Sequence, residues 1–320
     1  MGKLFTIAKN TFLETIRQPV YLVIILAAAC LLAISPFISM YSLDDDNKLL
    51  RELSLSTLFL ASLFIAIFSA SNAIAEEIEN KTISTVLTKP VKRPIYVLAK
   101  FLGVAAAVTL AHYLCTIIML ITSRHGIIET VNDTFDWTVV ASAAFILFFT
   151  VTLTAFFNFF YDWKASSTAV VLASIFSTCA IIFLALIDRD FNFNPQNNSI
   201  NAVDIFASML LLLAAYIIVS LALAFSSRFN VLITLAACFG IFLLGLISDY
   251  AFAQAAPTNF LARIGRFLVP NLQVFWIADA IYEGTTVSMA YIATSALYAI
   301  CYTAGILSIA VALFQRKQVG

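Results

Sequence analysis

Eight separate apolar runs, each long enough to cross a bilayer, constrain this chain more than any other feature. They are Val20–Tyr41, Leu55–Ala75, Leu98–Thr122, Trp137–Phe160, Ala165–Ile187, Ala202–Phe225, Val231–Phe252 and Ala290–Phe314. A helix needs about 20 apolar residues to cross the hydrocarbon core. Lipid offers the backbone no hydrogen-bond partner, so a spanning segment must satisfy its own N–H and C=O groups as a helix. The expected fold is therefore all-α and polytopic, with about eight transmembrane helices. Six spans plus re-entrant segments is the alternative. Composition agrees: 62% of residues are hydrophobic and 11% charged, where soluble domains carry about 25% charge. Net charge is zero, so no bulk field attracts nucleic acid, and no nucleic-acid partner is expected.

Trp137, Tyr161, Trp163, Tyr41 and Tyr250 stand at run ends, as interfacial aromatics do. The five cysteines (Cys30, Cys115, Cys179, Cys238, Cys301) fall one by one in different runs, without CxxC spacing. They read as packing residues rather than a disulfide or metal framework. Residues 253–289 form an expected outer loop. Within it Leu268–Ser288 is only half apolar, with Pro270, Asn271, Gln273, Asp279 and Glu283. It is too polar to span and reads as an interfacial or re-entrant helix.

Basic residues in short loops set orientation. With the N-terminus inside, twelve Lys and Arg fall in inner segments and six in outer ones. This favours a multi-pass protein with both termini cytoplasmic. Residues 1–19 lack the basic head and apolar core of a cleavable signal. Instead Phe5, Ala8, Phe12 and Ile16 recur at helical spacing, while Lys9, Asn10, Glu14 and Arg17 lie largely elsewhere on the wheel. Such a helix suits the inner interface. Pro19 removes a backbone donor and disfavours helix at Gln18, so a straight continuation into the first span is not expected.

The densest charge lies between the second and third runs, in EEIENKTISTVLTKPVKRPIYVLAK, Glu76 to Lys100. Glu76, Glu77 and Glu79 open it, and Lys89, Lys92 and Arg93 close it. Acid early and base late suits a short helix from Glu76 to about Thr88. Pro90 would end that helix, and Pro94 would set a second bend. On these residues alone, two readings stand: a surface offered to a cytoplasmic partner, or a positive-inside loop with none.

This segment resembles the coupling-helix region of integral-membrane permease subunits of ATP-binding-cassette (ABC) exporters of the type-2 class. The matching positions are Glu79, Thr82, Leu87, Pro90, Val91, Arg93, Lys100 and Gly103. Pro94 after the arginine and Ala99 before the lysine depart from the pattern. Asn10, Thr11, Phe12, Glu14 and Arg17 resemble the family's amphipathic opening, NTFxExxR. Weaker likenesses are Val269-Pro270-Asn271, Asp279 to Gly284 and Gln315-Arg316-Lys317.

The resemblance implies a single permease domain over residues 1–320, with an interfacial helix at 1–19 and a cytoplasmic coupling loop at 76–97. It implies a subunit in the cytoplasmic (inner) membrane, in contact with lipid, that forms the export pathway. It also implies two kinds of partner, a cytoplasmic ABC ATPase subunit and a second permease subunit, identical or different. The coupling residues it implies are Glu76, Glu79, Thr82, Leu87, Pro90, Arg93 and Lys100. Those of the interfacial helix are Phe5, Phe12, Glu14 and Arg17. The phosphate-binding pattern GxxxxGK[ST] is missing, and the one Gly-Lys pair is Gly2-Lys3. Hydrolysis is therefore expected from another chain, with no enzyme activity and no cofactor or metal here.

The competing reading is a secondary, ion-coupled transporter, which would place ionisable residues near the midplane. His112, near the centre of its run, is the one candidate. It has two roles open: hydrogen-bonded packing, or contact with substrate in a pathway. An intramembrane enzyme finds no support, since HExxH and GxSxG are both missing. Ser62, Ala66 and Ala70 recur every fourth residue, a stripe that suits either internal helix packing or a subunit interface.

Overall fold

The computed structural model describes residues 2–40, 46–79, 92–127, 135–195, 201–253, 259–278 and 287–315, with backbone alone at 74–79, 253 and 261. Ten α-helices are described: α1 (Gly2–Arg17), α2 (Pro19–Ser39), α3 (Asp46–Glu79), α4 (Arg93–His125), α5 (Trp137–Tyr161), α6 (Ala165–Leu186), α7 (Ala202–Ser226), α8 (Val231–Leu246), α9 (Phe260–Leu268) and α10 (Met289–Gln315). Among the described residues the only extended pairing is an isolated bridge between Ile187 and Phe193. The fold is all-α, as the apolar runs require.

Seven helices are long and apolar enough to span: α2, α3 as far as Ala73, α4, α5, α6, α7 and α10. The seventh run is divided. Val231 opens the 16-residue α8, which stops at Leu246, and a π-turn follows at Asp249–Ala253. The cause is local. The Gly245 carbonyl accepts from Leu272 N at 3.1 Å. A Cβ on Gly245 would meet Pro270 O at 2.8 Å, so only glycine lets that strand of backbone approach.

Start and stop signals fix the remaining boundaries. Gln18 is extended (φ −69°, ψ 132°) and α2 begins at Pro19, so the chain turns where the proline predicted. Asp136, Asn201 and Asn230 cap α5, α7 and α8 by accepting backbone N–H bonds. Gly126 (φ +70°) follows the last residue of α4. Pro94 makes no second bend. It lies in the first turn of α4, where its missing N–H costs nothing, and the helix starts at Arg93 rather than at Leu98.

α7 is the hub, packed against α3, α4, α8 and α10. Its buried face carries Ala207, Leu210, Leu211, Ala214, Ile217 and Ile218. α3 packs on α7, α4 and α2, and its stripe Ser62, Ala66, Ala70 is buried inside this one chain. Internal packing thus accounts for the stripe. α5 touches chiefly α6 and is largely exposed, as a lipid-facing helix with Phe148 and Phe159 on its surface would be.

The bundle has two distinct ends. At the near end Ser166 Oγ donates to Arg17 O, and Arg228 Nη2 donates to Leu313 O. At the far end Arg51 pairs with Asp204 and Arg124 with Asp136. α1 and the end of α10 both lie at the near end.

Candidate coupling site at the near end

Two stretches that sequence reading singled out separately meet here. Along α4, Lys100 and Gly103 face α1. A Cβ on Gly103 would stand 2.5 Å from Ala8 O and 2.6 Å from Thr11 Cβ. That close approach brings the Lys100 ammonium to 4.0 Å from Glu14 Oε2, the lysine 3% exposed and the glutamate 68% exposed. The same ammonium lies 5.8 Å from the centre of the Tyr96 ring. A buried Lys with a long stem and a half-solvated partner is a positional tie rather than a strong stabiliser.

The packed face of α1 differs from the wheel drawn on sequence. Thr11, Thr15 and Ile16 are buried and Phe12 is half-buried against the core, but Phe5 is 69% exposed. Small residues face α4 because the helix axes approach closely at Gly103. Phe5, about two turns before Phe12, is left outside. Glu14 and Arg17 lie on the exposed side, with the Arg17 carbonyl held by Ser166.

Arg93, the first residue of α4, reaches the last helix. Its Nη1 donates to Phe314 O at 3.4 Å and also to Gln315 O. Arg228 takes the neighbouring Leu313 carbonyl at 3.1 Å. Two guanidinium groups therefore meet carbonyls in the last described turn of α10, at the end of the helix where its dipole favours cations. Below them Tyr96 stacks on Phe314, with ring centres 5.4 Å apart.

The acidic start of the charged segment belongs to α3. Its backbone stays helical through Glu76 and Glu79, so Glu76 does not open a separate helix. No glycine or proline interrupts Ala73–Glu79, and its residues are good helix formers. At 34 residues α3 is about 50 Å long, well beyond a hydrocarbon core of about 30 Å. Thr82, Leu87, Pro90 and Val91 lie outside the described residues, as do Asp279 to Gly284, Arg316 and Lys317.

His112 stands away from this end, in the core. Its Nδ1 is 2.7 Å from Ser62 Oγ on α3, and its Nε2 is 2.9 Å from Ser208 O on α7. Thr116 Oγ1 bonds Ser208 Oγ at 2.6 Å. The carbonyl can only accept, so Nε2 carries a proton and donates. With both nitrogens engaged and 3% exposure, His112 ties three helices together. It does not line the apolar crevice of about 270 Å³ bounded by Phe101, Tyr216 and Thr303.

Sequence reading missed the far-end clamp. Arg124 and Asp136, both buried, pair at 3.3 Å. Arg124 also donates to the Leu184 and Ile187 carbonyls and to Thr138 Oγ1. Asp136 accepts from Thr138 N and Val139 N. Burial works to raise the Asp136 carboxyl, but the Thr138 hydroxyl, the Val139 amide and Arg124 outweigh it and hold it below its ordinary value. One available signal was a basic residue ending one run and an acid preceding the next.

A bundle of long apolar helices, with a charged end that joins the first amphipathic helix to the last span, defines a polytopic membrane protein. The sequence profile described as ABC-2 family transporter protein matches residues 50–229, more than half of the chain. The chain belongs to that family. It is a transmembrane subunit of an ABC transporter, and membership implies association with an ABC ATPase. A comparison with curated proteins finds no significant match.

Proposed function

We propose that this chain forms half of an export pathway and that its near end receives the stroke of the ATPase. The segment 76–97 is the receiving element, with Glu76, Glu79, Thr82, Leu87 and Pro90 meeting the ATPase. Arg93 and Lys100 pass the movement on. The observation that carries this reading is the arrangement along the first two turns of α4. Arg93 holds the last carbonyls of α10. Seven residues later Lys100 reaches Glu14 of α1. Seven residues is about two helical turns, so both contacts lie on nearly one side of α4. A displacement of α4 at this end would shift both α1 and α10.

The near end faces the cytoplasm in this reading, by the basic bias of its segments, and both termini lie on the cytoplasmic side of the inner membrane. The segment at 260–278 is its re-entrant element on the outer side. A second permease subunit, identical or different, completes the pathway. The chain supplies no hydrolysis of its own. The test is Glu79→Ala, scored for co-purification with the ATPase and for ATP hydrolysis in the assembled complex. Loss of either with normal membrane insertion is expected; wild-type assembly and activity would sink the coupling role of the segment.

A further inference from the structure

Helix α9 carries three distinct faces. Ala262 is buried, and a Cβ on Gly265 would meet the Phe252 ring at 2.6 Å, so this side rests on the π-turn. Phe260, Ile264, Phe267 and Leu268 form a second side, with Phe267 85% exposed and Phe260 72%. Arg263 and Arg266 form the third and are exposed. Among the described residues neither arginine has an ion-pair partner within 4.0 Å.

At about 100° per residue the aromatic side centres roughly 100–120° from the arginines. That is the layout of a helix lying along a lipid interface, with apolar groups in the acyl layer and cations at headgroup level.

The position of α9 agrees. α8 begins at Val231, just after the Arg228 turn at the near end. From there α8 rises about 24 Å to Leu246, and Phe252 lies in the π-turn beyond it, toward the far boundary of a core about 30 Å thick. The contact of Gly265 with Phe252 therefore puts α9 in the far half of the bundle. Its exit is fastened by three tyrosines of α10. Tyr302 Oη donates to Leu268 O at 2.6 Å, Tyr298 Oη accepts from Asn271 N at 2.9 Å, and Tyr291 Oη donates to Val274 O at 2.6 Å. The ladder runs antiparallel, so the backbone climbs from Leu268 toward the start of α10.

We infer that α9 is an anchor for anionic phospholipid in the far leaflet. Arg263 and Arg266 hold lipid phosphate, and Phe260, Phe267 and Leu268 enter the acyl layer. Two cations with no ion-pair partner among the described residues, beside an apolar face, select a lipid with net negative charge over a zwitterionic one. The inference does not depend on which side of the membrane the far end occupies.

The test uses full-length protein in vesicles of phosphatidylcholine with phosphatidylglycerol. Phosphatidylglycerol retained through purification is counted by mass spectrometry for wild type, for Arg263→Gln/Arg266→Gln and for Arg263→Lys/Arg266→Lys. Retained lipid should fall in the Gln pair and persist in the Lys pair; equal retention in the Gln pair overturns the proposal. Separately, emission added by Phe267→Trp should be quenched by brominated acyl chains and shielded from aqueous iodide. Resistance to the brominated lipid also overturns it, and indicates that protein, such as a second copy, covers the helix.

Discussion

Gly103 on α4 and Thr11 on α1 approach so closely that a Cβ on the glycine would stand 2.6 Å from the threonine Cβ. The other hypothetical contact there is backbone, Ala8 O, which cannot swing aside. Gly103→Ala should therefore push α1 off α4 and cost about 1–3 kcal/mol, as overpacking does. Gly240, with nothing within 4 Å of its Cβ position, is the control: Gly240→Ala should be neutral or slightly stabilising. Thermal unfolding in detergent compares the two. Equal midpoints would show that α1 is not seated through Gly103.

The far-end clamp makes stability depend on acid. Asp136 is held below its ordinary value in the folded protein, so its contribution is fully present above the unfolded carboxylate value of about 3.9. It is lost as pH falls through the lower, folded value. Asp136→Asn should remove this dependence and destabilise the protein at neutral pH by about 3–5 kcal/mol, because Arg124 is left buried without its counter-charge. Unfolding midpoints of wild type and variant, followed downward from pH 7, give the check. Parallel pH profiles would contradict it.

His112 is predicted to be a tie between helices. Removing its ring in His112→Ala deletes its bonds to Ser208 O and Ser62 Oγ, at about 0.5–1.5 kcal/mol each, since Ser62 Oγ keeps its bond to Leu58 O. The ATPase rate of the assembled transporter should then fall only as the folded fraction falls. A rate loss in well-folded His112→Ala protein would instead place His112 in the pathway.

The spans were legible because lipid forces an apolar run to become a helix, and helices long enough to span cover seven of the eight runs. Val231–Phe252 was misread as continuous because its interruption comes from Leu272, distant in sequence, which takes the Gly245 carbonyl. Glu76–Glu79 was misread as a separate start because charge order mimics a helix N-terminus even where an existing helix runs on. The meeting of Lys100 with Glu14, and of Arg93 with the end of α10, was invisible for a similar reason. Each motif is local, and their contact depends on how α1 and α10 pack against α4.

Arg93 and Arg228 offer a way to separate coupling from simple helix capping. Both donate to carbonyls in the last turn of α10: Arg93 to Phe314 O at 3.4 Å, and Arg228 to Leu313 O at 3.1 Å. As caps near a helix C-terminus each contributes about 0.3–1 kcal/mol, so on capping alone Arg93→Ala and Arg228→Ala should have similar, small effects. Only Arg93 also adjoins the segment assigned to the ATPase contact. Losing one member of a desolvated charge pair at a subunit interface costs about 2–5 kcal/mol. Arg93→Ala should therefore weaken co-purification with the ATPase at least tenfold more than Arg228→Ala, while the two unfold at similar temperatures. Arg93→Lys, which keeps the charge but not the planar fork, should restore part of the assembly. If Arg93→Ala and Arg228→Ala assemble and hydrolyse ATP equally well, Arg93 serves the end of α10 alone, and the coupling surface must be sought between residues 76 and 91.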